Sequence, residues 1–217
     1  MLLAIDTCGS TGTLALARRD GERISVLATA ELAGKTYAAL LVPQLRALLE
    51  QQNAGLRDVE AIIVVNGPGS FTGVRVGVSA TKGLAELFAT PAIAVSRLRV
   101  LAQKAGRRAA ALDAGRGEFY FGNYADGEEE ALLSVDELRI STAGSELAVC
   151  EEKASTAFPE ALLVSAPAAS DALELALPRL LSGDFDDLAS LDGNYLRRSD
   201  AELFARPATQ TSKLQSA

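Results

Sequence analysis

The chain has 217 residues, 48% apolar and 23% charged, enough to bury a real core as one larger domain or two lobes, and its composition is neither disordered nor fibrous. It contains no histidine, which removes Ser-His-Asp and Cys-His nucleophile systems, histidine-bound metals and any imidazole base, leaving carboxylates, hydroxyls, amides, Lys and Arg. A formal net charge of −7 argues against gripping a polyphosphate backbone over a broad surface.

Leu2 to Ile5 reads as a buried strand ending at Asp6, followed by a turn-forming cluster, Thr7-Cys8-Gly9-Ser10-Thr11-Gly12. Thr13 to Ala17, the Asp20-Gly21 hairpin signal and Ile24 to Ala30 complete an antiparallel meander. The spacing of Tyr37, Leu40, Leu41, Leu45, Leu48 and Leu49 predicts a helix over 36–51, with Pro43 kinking it or marking its start. Ala61 to Val65 is apolar throughout, as in a parallel strand covered on both faces. A helix over 72–88, a short strand over 92–95 and a helical stretch near 98–105 follow.

The layout then restarts. Ala110 to Asp113, a Gly-containing turn, a strand over 118–124 and Asp126-Gly127 repeat the opening pattern. Asp6 and Asp113 lie 107 positions apart, and Gly21 and Gly127 lie 106 apart. A duplication of two similar α/β lobes is the better reading. The expected division is 1–105, 106–205 and a flexible tail over 206–217. In the second half, 128–130 reads as an acidic turn, 134–138 as the start of a helix, 161–164 as a strand and 170–181 as a helix interrupted by Pro178.

Two cysteines 142 positions apart, Cys8 and Cys150, form no CxxC pair and are too few for structural zinc, so a reduced cytoplasmic protein is expected. Met1 to Asp6 carries no basic leader, and no apolar run is long enough for a bilayer, so neither a signal peptide nor a membrane role is expected.

Three constellations bear on chemistry. Gly67-Pro68-Gly69-Ser70-Phe71-Thr72-Gly73 joins a buried strand to a helix, the setting for anion binding, but it lacks the Gly-Lys-Ser/Thr of a phosphate loop and the dinucleotide spacing; a tight strand-to-helix turn is the plainer reading. Gly73, Gly77 and Ala80 form a small-residue stripe that admits a close backbone, either within the chain or from a partner. Asp6 and Asp113 would face each other across a cleft, as metal-binding carboxylates of a nucleotide site or nuclease, or as turn-capping residues; Cys8 reads as a small buried thiol.

Asn66 to Gly77, with Leu3-Ala4-Ile5-Asp6-Thr7 and Ala111 to Tyr120, closely resembles the bacterial TsaB (YeaZ) family, and Tyr195-Leu196-Arg197 is a weaker echo. The resemblance implies two duplicated lobes of the actin, sugar-kinase and Hsp70-like (RNase H-like) fold, the second reduced. It implies a non-catalytic subunit of the machinery that forms N6-threonylcarbamoyladenosine at position 37 of tRNAs reading codons that begin with A. Its partners would be a TsaD-like catalytic paralogue and a TsaE-like ATPase, with a homodimer when alone, tRNA contact only within the complex, and no cofactor. The implied partner surface uses the first two helices, through Tyr37, Leu40, Leu41, Gln44, Leu45, Leu48, Phe71, Val74, Gly77 and Val78. A residual nucleotide cleft would involve Asp6, Ser10, Thr11 and Asp113. The sequence departs from the family at Lys35-Thr36-Tyr37 and at Asp6-Thr7-Cys8, where the superfamily's phosphate hairpin has Asp-x-Gly. The alternatives are an ATP-dependent small-molecule kinase of the same superfamily, an RNase H-like nuclease, which needs further carboxylates, and a protease, which has no triad without histidine.

Overall fold

Apolar runs near the two aspartates nucleate two sheets of one topology. The computed structural model describes residues 1–33, 36–142 and 146–197; Lys35 and the expected tail lie outside them. The first sheet contains β1 (Leu2–Asp6), β2 (Gly12–Asp20), β3 (Arg23–Leu32), β4 (Ala61–Val65) and β5 (Ala92–Val95), ordered β3-β2-β1-β4-β5. β1 pairs antiparallel with β2 and parallel with β4, so it sits at the centre. The second sheet contains β6 (Ala109–Gly115), β7 (Glu118–Asn123), β8 (Glu129–Ser134), β9 (Leu147–Val149) and β10 (Leu162–Leu163). Its order, β10-β9-β6-β7-β8, is the same series read from the other edge, with β6 in the place of β1. The shorter β9 and β10 make this the reduced copy.

Around the sheets lie α1 (Tyr37–Gln51), α2 (Phe71–Phe88), α3 (Arg97–Lys104), α4 (Val135–Ser141), α5 (Glu152–Ala157) and α6 (Ala169–Ser182). Ser70 caps α2 by accepting from the Gly73 N–H, and Ala89 ends it in the left-handed region. Ser134 and Glu137 form a reciprocal capping box on α4. Neither Pro43 nor Pro178 ends its helix, because each is exposed and the carbonyl four residues earlier belongs to an exposed residue, where water can serve it. The acidic run proves to be the start of strand β8, and β9 and α5 were not foreseen.

β1 and β4 are buried at every position, so both faces of the first sheet must be covered. Helices α1 and α2 cover one face and α6 the other. Two helices pack across the expected division. Helix α3, counted with the first lobe, packs Leu98, Leu101 and Ala102 on Ala110, Leu112 and Ala148 of the second sheet. Helix α6, counted with the second, buries Ala169, Ala172, Leu173 and Ala176 on the first. The two helices exchange sheets because small residues on α6 allow close approach to the central strands, while α4 and α5 with Phe119 and Phe158 fill the outer face of the second sheet. Residues 186–197 then cross both units: the Asp186 N–H donates to Ala92 O, Asn194 N–H to Asn66 O, and Arg197 to Glu118.

Leu173→Ala should lower unfolding free energy by about 2–5 kcal/mol, the range for emptying a buried leucine site. Hydrogen exchange checks the crossover: amides of β1 and β4 should lose protection, although the substitution lies in the chain's second half.

Candidate functional site

Where β1 ends, three segments converge. Thr7 is fully buried, and its hydroxyl donates to the Gly73 carbonyl at 2.6 Å. A Cβ on Gly73 would lie inside van der Waals contact of the Thr7 carbonyl oxygen, and one on Gly77 would come 2.5 Å from Thr7 Oγ1. The Ser70 N–H donates to Cys8 O at 2.8 Å. The small-residue stripe therefore serves internal packing, bringing the first turn of α2 onto the turn after β1.

This junction floors a cleft of about 1030 Å³ between the sheets. One wall carries Cys8, Gly9, Ser10, Tyr37, Ser70 and Arg97; the other carries Asp113, Gly115, Tyr120 and Glu151. The Tyr37 hydroxyl donates to Gly9 O, bracing the turn from α1. Asp6 lies buried behind the lining, and its Oδ1 accepts the Cys8 N–H at 2.8 Å. Asp113 Oδ1 likewise accepts the Gly115 N–H at 2.9 Å. Each aspartate thus caps the turn two residues on, at the end of equivalent central strands. They do not act as a pair. Asp6 has Arg97 as its cation, Nε to Oδ2 3.8 Å, while Lys153 contacts both Asp113 oxygens at 2.9 Å. Burial pushes the Asp6 carboxyl above its ordinary range against the pull of Arg97. Burial also raises that of Asp113, but Lys153 and the Gly115 N–H more than offset this and hold it below the usual range. Ser10 lines the cleft, whereas Thr11 is exposed outside its lining. No three His, Cys, Asp or Glu side chains among the described residues are grouped to hold a metal, so the donor set does not fit the metal of a nucleotide-metal centre.

Cys8 is 1% exposed and its Sγ donates to Val65 O; burial, then the nearby Asp6, push its thiol up. Burial and Glu151 push Cys150 up to about 12. Neither is an activated nucleophile.

A second candidate is the outer face of α1 and α2. Of the residues expected there, Tyr37, Leu41, Leu45, Leu48, Val74, Gly77 and Val78 are buried within the chain itself, Leu40 and Gln44 are half-buried, and only Phe71 is well exposed. Their burial has a simple cause: the leucine stripe of α1 faces the sheet, so charges at Leu41 or Val78 would disrupt folding before they reported on a partner. The surface that remains is a groove of about 510 Å³ between the helices, lined among others by Ala38, Val42, Phe71, Arg75, Val76 and Ala80. Val42 is 59% and Phe71 45% exposed. The Arg75 guanidinium lies 3.6 Å over the Phe71 ring, and Tyr195, from the crossing segment, stands 5.5 Å from that ring. Helical spacing could not separate this rim from the core, because Val42 and Leu41 are neighbours on the same apolar helix. Arg97 was missed too, because in the run Ser96-Arg97-Leu98-Arg99 nothing sets it apart from the more exposed Arg99.

Residues 29–185 match the family model for TsaD, tRNA N6-adenosine threonylcarbamoyltransferase. The tRNA threonylcarbamoyladenosine biosynthesis proteins TsaB of Escherichia coli K12 and Bacillus subtilis 168 are each 37% identical, over 57% of this chain and 54% of theirs. The chain spans about half the length of the curated relatives it matches. A Pseudomonas aeruginosa crystal structure described as similar to peptidase YeaZ superposes with TM-score 0.75 at 31% identity, covering 90% of this chain and 99% of that one.

Gly73→Ala should cost at least about 1–3 kcal/mol, read from denaturant midpoints, because backbone must move to admit the methyl. At pH 8 both thiols should react with iodoacetamide more slowly in the native chain than in urea, because burial raises both above the ordinary thiol range.

Proposed function

The chain belongs to the TsaB/YeaZ family, and on that premise we propose that it acts in tRNA threonylcarbamoyladenosine biosynthesis as a non-catalytic, partner-binding subunit. Its partner is a TsaD-like catalytic paralogue, joined by a TsaE-like ATPase; alone, the chain pairs with itself through the same face, and it meets tRNA only within the complex. The observation that carries this reading is the exposed groove between α1 and α2, whose apolar floor is rimmed by Val42, Phe71 and the stacked Arg75. Apolar and aromatic anchors around an arginine are what a stable interface concentrates at its centre. A specific contact would extend this patch to at least about 1,000 Å² of total buried area. We further propose that residues 1–105 and 106–205 correspond to the duplicated units, joined by the exchanged helices.

The kinase alternative is disfavoured at the turn after β1. There the Cys8 side chain stands where the superfamily's phosphate hairpin has the glycine that lets backbone approach a phosphate. The absence of histidine and the buried, high-pKa thiols equally disfavour a peptidase.

Val42→Glu and Phe71→Glu, both at exposed positions, should leave circular dichroism unchanged and weaken capture of the purified TsaD-like protein of the same cell by at least about tenfold, roughly 1.4 kcal/mol. Sedimentation of each variant, alone and mixed, measures this. Unchanged affinity in both folded variants would place the interface elsewhere. ATP turnover that survives repurification and vanishes in Asp6→Ala would favour the kinase.

A further inference from the structure

The cleft holds a cation without adequate acceptors. The Arg97 side chain is 8% exposed, at the start of α3, and its Nε has no hydrogen-bond partner. None of its five N–H groups donates to an acceptor among the described residues; the nearest counter-charge, Asp6, stands 3.8 Å from Nε and already spends Oδ1 on the Cys8 N–H. A guanidinium removed from water is costly unless acceptors replace the water it lost. Arg97 is also held in place: Gly9 leaves room for Nη2, and a side chain there would displace it. On the same wall, Gly69 and Ser70 present the N-terminal end of the 18-residue helix α2, and Ser10 and Thr72 add hydroxyls.

We propose that this wall is a binding site for a small oxyanion, a phosphate or a carboxylate, held by the Arg97 guanidinium through two of its oxygens with the α2 N-terminus beside it. Paired N–H groups in a fixed fork match two oxygens on one centre, a geometry that lysine cannot supply. The opposite wall limits the ligand. Asp113 there is already paired with Lys153, and among the described residues the cleft lining has no cation besides Arg97, so the wall suits a singly or doubly charged group rather than a polyphosphate. This inference is independent of the partner reading, because the α1/α2 groove and the cleft wall are tested by different substitutions.

The test uses the full 217-residue chain with its arginine Nε–H groups observed by NMR, at constant ionic strength set with chloride. Inorganic phosphate and acetate are titrated separately. The expected result is a saturable shift of the Arg97 Nε–H with at least one of them: phosphate alone identifies a phosphate site, acetate alone a carboxylate site, and both a general oxyanion site. Arg97→Lys should weaken binding by on the order of tenfold, since the bidentate contact is lost, and exposed Arg18→Gln, on β2 away from both sites, should leave it unchanged. A linear, chloride-like response of Arg97 to both anions overturns the proposal, as does saturable binding that persists unchanged in folded Arg97→Lys. If that variant does not fold, the wild-type titration decides alone.

Discussion

The contact between the first turn of α2 and the end of β1 governs both candidate surfaces. Thr7 gives its hydroxyl to the Gly73 carbonyl, and no side chain fits at Gly73. With the helix drawn in, its N-terminus becomes part of the cleft wall, and its outer side, from Phe71 to Ala80, becomes one bank of the groove against α1. A single close approach therefore positions two surfaces with opposite chemistry. One mixes charged, polar and apolar side chains; the other is mainly apolar.

The cleft also illustrates how duplication leaves a shared shape while the chemistry diverges. Asp6 and Asp113 make the same backbone contact two residues downstream. Their surroundings then separate them. Asp6 is buried near Arg97, where desolvation favours its neutral form, whereas Asp113 lies at the cleft edge with Lys153 and stays ionised more readily. Two carboxylates in equivalent positions have become parts of two separate ion pairs, and neither is left free to share a ligand with the other.

Much of the fold could be read from residues with one dominant constraint. Ala61 to Val65 and Ala92 to Val95 coincide with their strands, and the restart at Asp113 announced the second sheet. Three-residue β9 escaped notice because so short a run carries no period, and β8 because Glu129 and Glu130 read as a turn, whereas β10 falls inside the strand expected over 161–164. The exchange of α3 and α6 was invisible for a different reason: amphipathicity says that a helix has a buried face, but not which sheet receives it. The site suffered in the same way. Leu41, Leu45 and Leu48 were recognisable as apolar, yet only the packed chain distinguishes a stripe turned to its own sheet from one offered to another molecule.

The exchange of helices has a consequence for the order in which the chain can assemble. Strand β5 is complete at residue 95, but the helix that seals the back of its sheet begins only at residue 169. A nascent chain leaving the ribosome therefore carries the apolar rear of β1 and β4 uncovered until all the strands of the second sheet have been made. Closing that surface is a late, long-range event, so the finished first sheet waits on a helix made more than seventy positions after its own last strand. In the cell this interval is where the protein would rely on chaperones, and where premature termination would leave a sticky sheet in place of a smaller folded lobe.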